Sequence, residues 1–87
     1  MKVLCGKVLN YFPKAKVVQV QLNSGEVKVN DRFLITGPTT GAVEGVITSL
    51  RTGDNSAEKG EKGSEITFPF ETVVRKNDSF FILVPRG

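Results

Sequence analysis

The sequence predicts an all-β fold: a single small antiparallel β-barrel, closed or partly open, of about six to seven strands. Three observations carry this prediction. Strand-like stretches recur about every ten residues, and no segment places apolar residues at i, i+3, i+4 and i+7 over a helical length. A short pattern is used twice, 47 positions apart: Lys28-Val29-Asn30-Asp31-Arg32-Phe33-Leu34-Ile35 returns as Arg75-Lys76-Asn77-Asp78-Ser79-Phe80-Phe81-Ile82. Each copy sets an Asn-Asp pair, which tolerates positive φ and bonds its own backbone, directly before an apolar run, the signature of strand, tight turn, strand. The third observation is size: at 87 residues the chain makes one domain, residues 1–87, and so small a sheet left open would present edges prone to pair with other chains. An open sandwich is the alternative.

The elements follow in order. Residues 3–9 alternate loosely and read as a strand, which the Asn10-Tyr11-Phe12-Pro13-Lys14 stretch interrupts as a loop carrying aromatics. Lys16-Val17-Val18-Gln19-Val20-Gln21-Leu22 has the clearest period of two, with Val18, Val20 and Leu22 on one face and Gln19 and Gln21 on the other. Asn23-Ser24-Gly25 is a turn, residues 26–29 a short strand, Asn30-Asp31 the first corner and residues 32–36 the strand it feeds. Residues 43–50 are β-rich, with the interior Gly45 predicting a bulge or tight bend. Residues 51–64 are polar and glycine-dotted and read as a long loop touching the sheet near Ser56-Ala57. Ile66, Phe68 and Phe70 then share one side of a strand whose Pro69 implies an edge or a strand end; Val73-Val74 leads into the second corner and the last strand, residues 79–84.

Composition narrows the function classes. No apolar run approaches the roughly 18 residues needed to cross a bilayer, so no membrane role is expected. Residues 2–7 meet Lys7 before a signal-peptide core can form, and the cytoplasm is the expected location. Cys5, the single cysteine, excludes an internal disulfide and a cysteine-based zinc cluster and reads as a small buried hydrophobe. The net charge of +3 is uneven: residues 1–36 hold six Lys/Arg against Glu26 and Asp31, giving +4, and the remainder holds six against seven acids, giving −1. An ordinary solvated strand face explains such a balance, and weak attraction to nucleic acid is the other reading.

Catalytic chemistry is absent from the pattern. There is no histidine, which removes the commonest general base and every Ser-His or Cys-His nucleophile arrangement. Gly60-Glu61-Lys62-Gly63-Ser64 holds the letters of a phosphate-binding loop in the wrong order, with no helix behind it. Asp31 and Asp78 sit in corners where turn chemistry accounts for them. No catalytic residue, no metal and no cofactor is expected. What remains is surface: Tyr11 and Phe12 beside Lys14 and Lys16, with Arg32 as a neighbour across the sheet, form an aromatic and basic cluster of the kind that stacks bases and holds phosphates. The other reading has both rings cap the end of the barrel.

Taken in order, Gly6-Lys7-Val8, Tyr11-Phe12, Val18-Gln19-Val20-Gln21-Leu22, Gly25 with Val27-Lys28-Val29-Asn30-Asp31, Ile35-Thr36-Gly37-Pro38-Thr39-Thr40, Ser49-Leu50 and Val74-Arg75-Lys76-Asn77-Asp78 resemble the second domain of translation elongation factors such as elongation factor Tu, a β-barrel of six to seven strands. Both corners carry Asn-Asp where such barrels usually carry Gly-Asp; Asn also accepts the left-handed conformation, so the corner is kept. Without a GTPase domain the resemblance implies a barrel and not a translation factor. Barrels of this type are similar to the C-terminal domain of collagenase-like peptidases, family thirty-two among peptidases of unassigned mechanism. That resemblance implies a non-catalytic C-terminal accessory domain assisting substrate binding or positioning of the catalytic domain, with the catalytic domain of the same parent chain and a protein or peptide substrate as partners.

A freestanding RNA-binding or translation-associated barrel is the alternative, motivated by the basic first portion and the Tyr11-Phe12 loop, and a protein–protein adaptor is a third. Leu83-Val84-Pro85-Arg86-Gly87 coincides with the thrombin recognition sequence of expression tags. As a tag remnant it would make the chain an excised domain; as native sequence it continues the last strand.

Overall fold

The computed structural model describes residues 2–53 and 55–84. Ten strands follow one another: β1 Lys2–Phe12, β2 Val17–Leu22, β3 Val27–Lys28, β4 Arg32–Gly37, β5 Gly41–Val46, β6 Leu50–Thr52, β7 Asn55–Ala57, β8 Lys59–Gly60, β9 Glu65–Pro69 and β10 Ser79–Leu83, with no helix among the described residues. Eight of them form one antiparallel sheet in the order β5-β4-β10-β1-β2-β9-β6-β7, and β3 and β8 pair separately. The all-β class therefore holds. Pro85 to Gly87, and with them the tag reading, lie outside the described residues.

The core is the inner face of this curled sheet. Val18, Val20 and Leu22 are fully buried, as their period of two requires, and Ile66 and Phe68 of β9 join them. Phe33 on β4 lies 4.9 Å from both Phe68 and Phe70, and 5.8 Å from Phe80. Three strands separate β4 from β9 in the sheet, so this contact requires the sheet to wrap over its own inner face.

Both corners form, and they are copies in geometry as well as in letters. Asn30 and Asn77 take φ of 81° and 73°, the left-handed conformation. At the first corner, Asp31 N–H donates to Lys28 O and Lys28 N–H to Asp31 Oδ2; at the second, Asp78 N–H donates to Arg75 O and Arg75 N–H to Asp78 Oδ2. Asn30 and Asp31 exchange backbone bonds with Ile47, as Asn77 and Asp78 do with Val8. The repeat of 47 carries Leu34 onto Phe81, and these two face each other directly across β4 and β10. The halves are thus related by an approximate twofold axis between Leu34 and Phe81. It also carries Gly6, opposite Phe80, onto Gly45, opposite Phe33.

Strand pairing does not close the barrel. The sheet ends at β5 and β7 instead of joining into a ring, and it has more strands than expected. The two halves differ at this point. In the first half β1 runs on past Gly6 and pairs with β2 through Lys7↔Gln21 and Val8↔Val20. Its counterpart in the second half, β5, ends at Val46 and pairs with β4 alone. Phe70 N–H donates to Lys16 O on the β2 side, so alternation turns the nitrogen of Pro69 away from β2, where proline has no N–H to offer and the β6–β9 ladder has already stopped at Thr67.

Other expectations are corrected. Tyr11 and Phe12 are the last residues of β1, not a loop; the turn is residues 13–16. The stretch 43–50 is two strands, β5 ending at Val46 and β6 starting at Leu50. Gly45 marks no bulge: its pairing with Phe33 is regular, and a Cβ there would lie 2.6 Å from Phe33 Cζ, so it is small to admit the ring. The register shifts lie in β1, between Leu4 and Gly6 and between Val8 and Asn10. Within residues 51–64 the chain does touch the sheet at Ser56 and Ala57, but as β7 paired to β6, followed by β8 on β3.

Candidate functional site

The aromatic and basic residues sit at one end of β1. Pro13 ends the strand, and a tight turn with Lys16 at φ 54° starts β2, which pairs Phe12 with Val17 and Tyr11 with Val18. Lys14 and Lys16 are exposed on that turn. Phe12 is 42% exposed, a ring offered to solvent between strand and lysines. Tyr11 differs: half-buried against the core, its hydroxyl donates to Phe70 O at 3.1 Å, with Glu71 O at 3.3 Å. That ring ties β1 to the chain after β9. Of the four, Phe12, Lys14 and Lys16 are thus the exposed residues, while Tyr11 is held by the core, Phe70 and Glu71.

Arg32 is placed elsewhere. On β4 it faces Leu83 of β10, which faces Lys2, so Arg32 is level with the end of β1 opposite Tyr11. Its guanidinium pairs with Glu44 at 3.7 Å, both side chains being largely exposed. The sheet's curl brings not Arg32 but Val46, its neighbour on β5, towards Lys16: both line a groove of about 540 Å³ with Ala15, Gly45, Phe70 and Glu71.

A second groove, of about 760 Å³, lies at the first corner between Lys28, Val29 and Asn30 on one side and Ala57, Glu58 and Lys59 on the other. Its lysines are held to neighbouring acids, Lys28 to Glu26 at 3.6 Å and Lys59 to Glu61 at 3.5 Å. Sequence reasoning missed this groove because the β3–β8 pairing that builds it joins segments with no apolar period. Among the described residues no three of His, Cys, Asp and Glu gather to hold a metal ion. Cys5 is buried; burial pushes its thiol pKa up, opposed by a smaller effect from a hydrogen bond with the Ile82 backbone. The accessible groups of the described surface are cations, a ring and open backbone edges.

No protein-family model matches the chain. It is 34% identical over 80 residues to a collagenase of Porphyromonas gingivalis, covering 92% of the chain and 19% of the collagenase. It is 32% identical over 82 residues to an uncharacterised protease of Methanocaldococcus jannaschii, covering 94% of the chain and 20% of that protein. The chain thus spans about a fifth of the length of these relatives. In fold it matches the crystal structure of the C-terminal domain of a U32 peptidase from Geobacillus thermoleovorans, with a TM-score of 0.86, 18% identity, and 93% of this chain and 92% of that one covered. The selenomethionine variant of that domain matches with a TM-score of 0.83 at 19% identity.

Proposed function

Because this chain resembles a segment of collagenase-like proteins in sequence and the C-terminal domain of a U32 peptidase in fold, we propose that it is a non-catalytic accessory domain of such a peptidase, helping to bind a protein or peptide substrate or to position the catalytic domain. The observation that carries this reading is the coverage: 92% of the chain matches a collagenase of which that segment makes up only 19%, leaving most of the relative to supply the chemistry. The side chains agree, since the sequence has no histidine and its surface groups suit binding. The isolated chain is expected not to cleave casein or gelatin. Cleavage by highly purified protein that resists inhibitors of contaminating proteases would overturn the reading.

A second reading, binding of single-stranded RNA, is favoured by the exposed Phe12 ring beside Lys14 and Lys16. It expects RNA affinity that falls with salt and with Lys14→Glu or Lys16→Glu. Indifference to both changes would remove it.

A further inference from the structure

The outer face of β1, β10 and β4 is apolar where a solvated strand face is ordinarily polar. Register sets its side chains in rows: Leu4 faces Phe81, and Phe81 faces Leu34. In the next row on this face Leu83 faces Arg32, which faces Val46. The alternate residues Phe33, Ile35, Phe80 and Ile82 fill the core, so the period of two turns these rows outward. Leu4 is 54% exposed and Val46 47%, while Leu34, Phe81 and Leu83 are half-buried. Facing side chains on paired strands are about 5 Å apart, so the row is one contiguous patch and not scattered single residues. The border is basic. Lys2, whose ammonium stands 4.8 Å from the centre of the Phe81 ring, joins Lys7 and Arg32, with the carboxylate of Glu44 against Arg32.

We propose that this face docks the remaining portion of a collagenase-like peptidase chain, through an apolar surface bordered by Asp and Glu. The proposal rests on the accessory-domain reading and names the surface by which that domain is held. Two observations select the occupant. Face-to-face pairing of two copies would bring together two borders that each carry Lys2, Lys7 and Arg32 against Glu44, so net like charge disfavours a second copy and favours an acidic border. The matched segment is 19% of the collagenase, so a large mass of chain adjoins such a domain, and the face open to it is an outer one, the inner being filled by core. The Leu4 row also lies towards the end of β1 remote from Tyr11, which leaves Phe12, Lys14 and Lys16 free for a substrate while the domain is docked.

The test uses the natural gene product at its native length, with photoreactive benzoylphenylalanine replacing Leu34 and, as a control, the 51% exposed Val73. Irradiation is expected to join position 34, and not position 73, to acidic peptides of the peptidase portion. Leu4→Asp, at an exposed site where folding is checked by its melting curve, should lower that yield by about tenfold or more, as loss of a central apolar contact does. Arg32→Glu should lower it independently, and less so in high salt. A product that carries a peptidase portion but crosslinks no better from 34 than from 73 overturns the docking face and leaves the accessory reading standing. A product with no peptidase portion overturns that reading and the docking with it. Crosslinks between two copies of this domain overturn the choice of occupant.

Discussion

Asp31 and Asp78 hold the same place in the two corners, each accepting a 2.9 Å bond from the backbone N–H three residues earlier, but only Asp78 is buried, at 3% exposure. Asp78 alone also accepts from Thr40 Oγ1, and a Cβ on Gly37 would collide with its carboxylate, so one strand end is shaped around it. Asp78→Ala would strand the Thr40 hydroxyl and the Arg75 N–H and is expected to cost about 3 kcal/mol, against about 1 kcal/mol for Asp31→Ala. Urea unfolding midpoints of the two variants check this; equal losses would contradict it.

The left-handed φ of Asn30 and Asn77 makes a second prediction. Asn77→Gly should be tolerated within about 0.5 kcal/mol, because glycine takes this conformation freely. Asn77→Val should cost about 1–2 kcal/mol or more, since a branched side chain meets the following carbonyl. Melting temperatures of the pair decide it.

Gly6 and Gly45 are equivalent in the duplication but are small for different reasons. A Cβ on Gly6 would collide with the backbone oxygen of Gln21, whereas one on Gly45 meets the Phe33 ring at 2.6 Å and Phe70 Cε1 at 3.0 Å. Gly6→Ala should therefore lose more than the roughly 1–3 kcal/mol of an overpacked core expected for Gly45→Ala. Only the latter should be partly rescued by Phe70→Leu, which a double-mutant cycle measures.

Cys5 makes a prediction about pH. Its folded pKa lies above the ordinary 9.0, so below that pH both folded and unfolded thiols are protonated. Above it the unfolded chain ionises first, binds fewer protons than the folded one, and stability falls as pH rises. Unfolding free energy should drop from pH 9 upward in the parent chain relative to Cys5→Ala, and alkylation of the native thiol should be slow until the protein unfolds. Fast alkylation of folded protein would refute the burial.

Much of the fold was legible because its signals are local. The period of two in β2 names Val18, Val20 and Leu22 as core, and the Asn-Asp pairs mark both corners and their positive φ. β7 and β8 were not legible. Asn55-Ser56-Ala57 and Lys59-Gly60 bury almost no apolar side chain, and a strand without that alternation leaves no trace in the sequence. Of the candidate surface, only the exposure of Phe12, Lys14 and Lys16, at a strand end and its turn, was legible. Tyr11 and Arg32 were not, since where they point depends on contacts with Phe70, Glu71 and Glu44.

The sequence by itself determined the all-β class, the repeated corners, the buried face of the main strands and the lack of histidine chemistry. Each of these depends on residue type or on spacing within a few positions, which the backbone's two periods and turn sterics translate directly. Only the tertiary structure decided that the sheet stays open between β5 and β7, that Leu34 and Phe81 lie on an axis of duplication, and that Leu4, Phe81 and Leu34 line up into one outward patch. Those outcomes depend on register between strands far apart in the chain. One residue of slip exchanges the faces of a strand, so no local pattern carries the answer until the whole core has packed.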